Sequence, residues 1–410
     1  MKKLHKAKII LLVVMLISYV FFSNDFGLID IEKTAIIAAV GIDKAQSEYE
    51  ITVQIAVPQA TDTNAVNNKA VVSAKGATAS EAIHQIGDIT GWYPKLAFCN
   101  LIIFGESMKS ENIKAVLDYF ARTFKIQDSA CVAGCECSAK KLLSTATPLD
   151  NISAFAVQKI LLKNRGMTID VATTDIKTFS VGYYSRTGSS FMPMIKMIPV
   201  SGQETSEKAD GSGGASGDTG ESSSSSGSQS SSGGSGKNFV FDASKTLLFK
   251  NGKVVDELDD HETKAFNLFR EKVSENIFYV DDVEMDGKKI NAVLTVIDNK
   301  TNIKFYMDKA TPVLKMTADI FCRLEDTSNV DKQESLKSSV FIPLEVSKKA
   351  EEVFGGYVDG IIEKCKTSGC DLLNLDEKLF RYYHNYYDAL KDKLYENLRL
   401  EKNITFRGLE

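Results

Sequence analysis

The sequence predicts an α+β fold, with two to three mixed α/β domains, largely antiparallel sheets and an N-terminal signal anchor. Residues 49–57 alternate between apolar and polar types, which indicates a half-buried strand. Apolar residues recur at helical spacing from 350 to 365, which indicates a helix packed on a sheet. A Gly/Ser-rich tract divides the 410 residues into two regions, and a chain of this length usually forms more than one domain.

The N-terminus has the layout of a secretory signal, with four lysines in the first eight residues. The apolar run that follows begins at Ile9 and ends at Phe22. As a helix it would cover about 21 Å, against the roughly 30 Å of a bilayer core. No small-x-small cleavage site follows, and since no cysteine occurs before Cys99, lipid attachment after the run has no acceptor. We therefore expect residues 1–27 to be an anchor that places the rest of the chain outside the cytoplasm, with cleavage left open.

The Gly/Ser-rich tract predicts a disordered linker over residues 201–237. Glycine and serine fill 21 of the 26 positions from 211 to 236, so this stretch cannot bury enough apolar surface to order itself. The linker separates an N-terminal α/β region, 28–200, which could form two subdomains, from a C-terminal α+β domain, 238–410.

Strands and helices alternate through the N-terminal region. Thr78 and Glu81 have the spacing of a capping box, which predicts a helix that begins between them. Strands are predicted over 35–43, 49–57, 96–104 and 129–137, and a second helix over 113–120.

The C-terminal region opens with a hairpin signal, because Asn251 and Gly252 both tolerate the positive φ of a two-residue turn. Three apolar runs, 290–297, 302–307 and 313–324, predict an antiparallel meander. Further predicted elements are helices at 262–273, from 343 through the apolar stripe at 350–365, and at 376–392, and a closing strand at 398–406.

The sequence carries no recognisable catalytic or metal-binding pattern. The chain has four histidines, and no HExxH or GxSxG arrangement is present. The net charge of −5 and the lack of a basic stripe argue against nucleic-acid binding. We therefore expect a non-enzymatic protein without cofactors. The histidines are His5, His84, His261 and His384.

The seven cysteines are an odd number and show no disulfide framework. On a strand, Cys131, Cys135 and Cys137 would share one face, where packing is favoured over metal binding. Cys365 and Cys370 lie across a predicted helix end, and the sequence leaves open whether they form a disulfide.

A group of tyrosines in the predicted helix 376–392 is a candidate for partner docking. At helical spacing two of the four would pack inward and two would face solvent. An outward tyrosine offers a large contact area at low entropic cost. The group is Tyr382, Tyr383, Tyr386 and Tyr387.

Several stretches together resemble the C-subunits of GerA-type spore germinant receptors, the Ger(x)C family. In the N-terminal region these are Gly41-Ile42-Asp43-Lys44 and the strand Tyr49-x-Ile51-Thr52-Val53-Gln54. In the C-terminal region they are the hairpin 248–258, the stripe 351–365, Asp371-Leu372-Leu373 and the closing Asn403-Ile404-Thr405-Phe406-Arg407-Gly408.

The resemblance implies a non-enzymatic subunit of a nutrient receptor on the outer face of the inner spore membrane. Its implied partners are an A-type subunit and a multi-span, transporter-like B-type subunit. The family usually has a lipid-carrying cysteine just after the signal, whereas Ser23-Asn24-Asp25 stands there in this chain. The family also tends to have tryptophans where this chain has Tyr383 and Tyr387. The alternative function is a stand-alone extracytoplasmic substrate-binding or cell-envelope structural protein.

Overall fold

The computed structural model describes residues 11–19, 34–56, 69–122, 126–150, 152–162, 169–200, 239–285, 287–329, 335–336 and 341–408. Two β-sheets with helices packed against them account for most of these residues. Most strand pairings are antiparallel, so the predicted α+β fold is confirmed. The predicted linker 201–237 lies outside the described residues.

Residues 11–19, within the predicted anchor, form a helix, α1, whose side chains are all exposed. Among the described residues no helix is both long enough and apolar enough to cross a bilayer. The two ends of the predicted anchor, Ile9 and Phe22, lie outside the described residues.

The first sheet has nine strands in the order β3-β2-β1-β5-β6-β7-β8-β9, and β4 lies beside the start of β1. Its centre, from β1 through β5 and β6 to β7, is parallel, while the pairings toward both edges are antiparallel. The strands are β1 Thr34–Ala45, β2 Glu48–Ala56, β3 Lys69–Gly76, β4 Tyr93–Lys95, β5 Leu101–Phe104, β6 Cys131–Cys135, β7 Ser189–Pro199, β8 Phe239–Lys250 and β9 Lys253–Leu258.

Helices cover both faces of the first sheet, because its central strands are apolar on both sides. One face carries α2 Ala79–Thr90, α3 Lys114–Arg122 and α6 Ile176–Tyr183. The opposite face carries α4 Ala139–Ser144 and α5 Ser153–Leu162.

The Gly41-Ile42-Asp43 stretch has a structural role in this sheet. A Cβ on Gly41 would lie 2.9 Å from the Ala139 Cβ, so only glycine lets α4 approach β1 this closely. The buried Asp43 carboxylate accepts hydrogen bonds from the first two N–H groups of α4, Ala139 and Lys140, both at 3.0 Å. Burial raises the pKa of Asp43 above its usual value. The carboxylate therefore fixes the start of α4 on β1.

The second sheet has five strands in the order β10-β11-β12-β13, and β14 pairs in parallel with β12. The helices α7 and α8 pack on it, and the apolar stripe of α8 faces the core as predicted. The strands are β10 Asn276–Met285, β11 Lys288–Asp308, β12 Thr311–Asn329, β13 Ser335–Leu336 and β14 Arg399–Arg407. The helices are α7 Asp260–Arg270, α8 Leu344–Ser368, α9 Leu375–Tyr382 and α10 His384–Leu390.

A partly buried ion pair joins α7 to α8. Asp259 and Glu262 form a capping box at the start of α7, and the Glu262 carboxylate also accepts a hydrogen bond from Lys364 of α8. A Cβ on Gly360 would lie 2.6 Å from Glu262 Oε1, so glycine leaves room for the carboxylate. The two helices are thus held in register by charge as well as by apolar contact.

The boundary between the sheets does not coincide with the Gly/Ser tract. The first two strands after the tract, β8 and β9, continue the first sheet, since β8 pairs with residues 189–199 of β7. The predicted hairpin turn is present, with φ of 52° at Asn251 and 78° at Gly252. The predicted C-terminal region therefore contributes strands to both sheets.

Two further elements differ from the prediction. The apolar runs 290–297 and 302–307 form one strand, β11, because the polar residues between them pair with β12 instead of forming a turn, and a bulge at Ile297 precedes them. Asn299, among these paired polar residues, is buried, and its amide donates to the carbonyls of Leu268 and Glu271 at the end of α7. The helix predicted over 376–392 is broken at Tyr383, whose φ of −136° is not helical. It forms α9 and α10 instead.

Candidate functional site

A cleft of about 670 Å³ lies between the end of α6 and the start of α9. One wall comes from α6, the turn after it and the first residues of β7. The other wall comes from the 371–374 turn and from α9. The residues that line the cleft are Thr178, Val181, Gly182, Tyr184, Ser185, Arg186, Ser189, Ser190, Phe191, Asp371, Leu372, Asn374, Glu377, Lys378, Arg381 and Tyr382.

Local signals in the sequence position the first wall. The Asp175 side chain accepts a hydrogen bond from Thr178 N at 2.7 Å and caps the start of α6. A Cβ on Gly182 would lie 2.5 Å from the Ser189 carbonyl oxygen, so glycine allows α6 to turn back closely onto β7. Ser190 donates to the Phe179 carbonyl at 3.1 Å and closes this turn.

The second wall is organised around the buried carboxylate of Asp371. It accepts hydrogen bonds from Leu375 N and Asp376 N at 2.9 Å and from the Tyr395 hydroxyl at 2.5 Å. Since Asn374 has a left-handed conformation and makes no side-chain cap, Asp371 takes over the capping of α9. The Asp371 N–H donates to Ser189 Oγ at 2.8 Å, which ties this wall to β7.

Arg186 bridges the two walls. Its guanidinium carbon lies 3.2 Å from the centroid of the Phe380 ring, within the range of a cation–π contact. Its Nε lies 3.2 Å from Glu377 Oε2, and Glu377 also pairs with Arg381 one turn later in α9. The cleft is therefore a fixed junction between α6 and α9.

Lys378 in the cleft, and Asp376 and Tyr395 behind its second wall, have altered acidity. Burial lowers the pKa of Lys378, although the nearby Asp371 charge opposes this shift. Burial raises the pKa of Asp376, and the charge of Asp371 raises it further. Burial also raises the pKa of Tyr395 well above its usual value. The second wall of the cleft therefore rests on a buried, hydrogen-bonded polar network.

The rim of the cleft is apolar and aromatic. Val181, Tyr184 and Tyr382 are 67%, 57% and 73% exposed. The Tyr184 hydroxyl donates to Asp118 at 2.6 Å, which orients its ring. Exposed apolar and aromatic side chains grouped at one site indicate an interaction surface, and tyrosine is enriched at protein interfaces. The rim is therefore a candidate docking surface, and the hydrogen bonds of Asp371 hold the wall beneath it in place.

The structure splits the predicted tyrosine group. Tyr382 and Tyr386 are exposed, whereas Tyr383 and Tyr387 pack against the core of the second sheet, so the predicted division into two outward and two inward residues is confirmed. Only Tyr382 lines the cleft. Partner docking by this group stays a prediction. Sequence reasoning missed Val181, Tyr184 and Arg186, and the run Tyr183-Tyr184-Ser185-Arg186, rich in aromatic and basic residues, was the signal for them.

The histidines lie on separate elements. His84 is in α2, His261 is in the first turn of α7, and His384 begins α10. His261 stacks on Tyr357 and His384 packs edge-on against Phe380, so both serve as aromatic packing groups. The fourth, His5, lies outside the described residues.

All seven cysteines lie in the described residues, and each carries a thiol, including Cys365 and Cys370. Cys131 and Cys135 are buried in the core under α4 and α5, as predicted for packing residues, and Cys137 is partly buried against the same core. Among the described residues, no cluster of three His, Cys, Asp or Glu side chains could hold a metal ion.

Comparison with known proteins identifies both regions. Residues 28–197 match the family model "Spore germination protein N-terminal domain", and residues 244–407 match "Spore germination B3/GerAC like, C-terminal". A crystal structure of the GerBC protein has the same fold, with a TM-score of 0.50 and 16% identity over 93% of this chain and 100% of that chain. Comparison with curated protein sequences gives no match. The two walls of the cleft lie one in each matched region, and the chain belongs to the GerAC family of spore germination proteins.

Proposed function

We propose that this protein is a non-enzymatic subunit of a nutrient germinant receptor and acts as its scaffold or signal-coupling component. The family match supports a role in spore germination. The observation that carries the proposal is the cleft, because its walls come from both family-matched regions and meet through Arg186 and Phe380. A partner that binds there contacts both regions at once.

The proposed location is the outer face of the inner spore membrane. The apolar run from Ile9 to Phe22 serves as the anchor, and the lysines before it stay in the cytoplasm. Because this run is short for a bilayer, contact with partner subunits helps to hold it in place. The proposed partners are the A-type subunit and the multi-span, transporter-like B-type subunit.

The rim of the cleft is the proposed docking site for one of these subunits. Val181, Tyr184 and Tyr382 present apolar and aromatic area to solvent, and Arg186, Lys378 and Arg381 place cationic groups beside it. A segment with an aromatic or aliphatic anchor and an acidic residue next to it would match this surface.

Purification of the tagged protein from detergent-solubilised spore membranes tests the proposal. We expect a multi-span subunit to co-purify with the wild-type protein. Much less of that subunit should co-purify with the Val181→Asp/Tyr382→Ala variant. Tyr279→Ala is the matched control, since Tyr279 is also exposed, at 54%, but lies on β10 of the second sheet. Normal nutrient germination of a deletion strain would refute the proposal.

A second function is favoured by the size of the cleft. Its volume of about 670 Å³ lies within the range of small-molecule sites, which suits a stand-alone extracytoplasmic substrate-binding protein. Calorimetry of the isolated protein with nutrient germinants separates the two functions. Saturable binding that Lys378→Ala abolishes, without any co-purified subunit, would favour the second.

A further inference from the structure

Exposed aromatic side chains are concentrated at the edge of the first sheet beside the start of β1. Trp92, Tyr93 and Phe98 are 49%, 42% and 55% exposed. They follow Gly91, whose left-handed conformation, with φ of 69°, ends α2 and turns the chain outward. We call Trp92, Tyr93, Lys95 and Phe98 the aromatic edge. Several large aromatic side chains exposed in one short segment indicate a surface that binds a protein or a membrane.

Strand pairing fixes the position of this edge. The short strand β4 runs parallel to the first residues of β1, with Tyr93 opposite Thr34 and Lys95 opposite Ile36. Since side chains alternate along a strand, Tyr93 and Lys95 share the outer face, and Ile36, 36% exposed, lies on this face too. The aromatic edge therefore lies where the chain enters the first sheet from its N-terminal side.

The length of the intervening chain limits how far this edge can lie from the anchor. The apolar run ends at Phe22 and β1 begins at Thr34, so 11 residues separate them. Even fully extended, these residues span at most about 40 Å. Such a short tether gives the edge a high effective concentration at the membrane surface, so a weak contact with lipid is sufficient to keep the edge bound there.

We propose that the aromatic edge rests in the interfacial layer of the bilayer and orients the protein on the membrane. This inference rests on the proposed membrane anchoring. Tryptophan and tyrosine prefer the lipid–water interface, where the ring is apolar and the N–H or O–H stays hydrated. Lys95, whose Nζ lies 5.9 Å from the Phe98 ring, adds a positive charge suited to anionic head groups. With this edge toward lipid, the first sheet lies next to the membrane.

Trp92 is the only tryptophan in the chain, so its fluorescence reports on this edge alone. The test uses the full-length protein reconstituted into vesicles of phosphatidylglycerol and phosphatidylethanolamine, some brominated near the glycerol backbone. We expect a blue-shifted emission and a loss of intensity with the brominated lipids. The control is the Trp92→Phe/Tyr279→Trp variant, which places the reporter on β10 of the second sheet. Its emission should not respond to the bromine.

Three results would overturn the proposal in distinguishable ways. If the protein floats with the vesicles but bromine quenches Trp92 no more than the control, the edge does not contact lipid, while the anchoring stands. If the protein does not float, the anchoring and this inference both fail. If Trp92 becomes shielded only when other receptor subunits are reconstituted with it, the edge is a protein interface.

Discussion

The guanidinium carbon of Arg186 lies 3.2 Å from the centroid of the Phe380 ring, and this contact joins the turn after α6 to α9. The two residues are far apart in sequence and belong to different family-matched regions. Glu377, one turn before Arg381, forms an ion pair with the same guanidinium, with its Oε2 3.2 Å from Arg186 Nε. The junction thus gives the cleft a defined width, which a docking surface needs.

Loss of this contact should destabilise the junction. We expect Arg186→Ala to lower the free energy of unfolding by about 1–2 kcal/mol, since a partly desolvated cation–π contact contributes on this scale. Arg122→Ala is the control, because its ion pair with Asp118 is largely exposed and should contribute less than about 0.5 kcal/mol. Urea unfolding measures both. Equal effects of the two substitutions would contradict the bridging role of Arg186.

Two glycines of α8 should respond to alanine in opposite directions. Gly356→Ala should stabilise the protein by about 0.5–1 kcal/mol, because the site is open and alanine is the better helix former. Gly360→Ala should destabilise it by about 1–3 kcal/mol, because the new Cβ would displace Glu262 from Lys364 and from the cap of α7. Thermal melting of both variants measures the difference. Stabilisation by Gly360→Ala would show that Glu262 is mobile.

Asp376 should make stability depend on pH. Its pKa in the folded protein lies above the usual 3.8. Burial is the main cause, and the charge of Asp371 raises the pKa further. The folded state then binds the proton more tightly than the unfolded state, so this group's favourable contribution is complete below pH 3.8 and is lost as the pH rises through the folded pKa. Asp376→Asn should therefore raise the melting temperature at pH 7 relative to wild type, and this gain should shrink toward pH 4.

Tyr387→Phe is the matched variant for this experiment. The Tyr387 hydroxyl donates to Asp376 at 3.4 Å and lowers the carboxyl's pKa, so its loss should steepen the pH dependence. Identical profiles of Asp376→Asn and wild type from pH 4 to 7 would contradict the assignment.

Cys137 should react first with a thiol reagent. A side-chain hydrogen bond from Cys135 lowers the pKa of the Cys137 thiol, and Cys137 is only partly buried. By contrast, burial raises the pKa of Cys99, Cys322 and Cys370 to about 12. Since the thiolate is the reactive form, iodoacetamide at pH 8 should modify Cys137 well before the others. Peptide mass spectrometry after timed alkylation checks this order, and simultaneous modification of Cys365 would contradict the packing shown here.

Local signals made much of the fold predictable. The capping pair at Thr78 and Glu81, the turn at Asn251 and Gly252, and the apolar stripe of α8 each depend on residues within a few turns of one another. Their physical causes are therefore contained in the sequence itself. The inward position of Tyr383 and Tyr387 is different, because the predicted helix is broken at Tyr383 and one helical spacing does not run through both residues.

Long-range pairing was not predictable in this way. The Gly/Ser tract suggested a domain boundary, but β8 completes the sheet that β7 belongs to, and such pairing leaves no trace in local periodicity. The polar residues near Asn299 have the composition of a turn, although they form part of a strand from which Asn299 donates hydrogen bonds to the carbonyls at the end of α7. The cleft depends on Arg186 meeting Phe380 across the fold, so the meeting of its two walls could not be predicted from sequence.

Site-specific photo-crosslinking in dormant spores tests the central claim most directly. A photoreactive phenylalanine analogue replaces Tyr382 at the rim of the cleft or, as the control, Tyr279 on β10. We predict an adduct between position 382 and another subunit of the germinant receptor, and no such adduct from position 279. Equal yields at both positions, or an adduct at 279 alone, would contradict docking at the cleft.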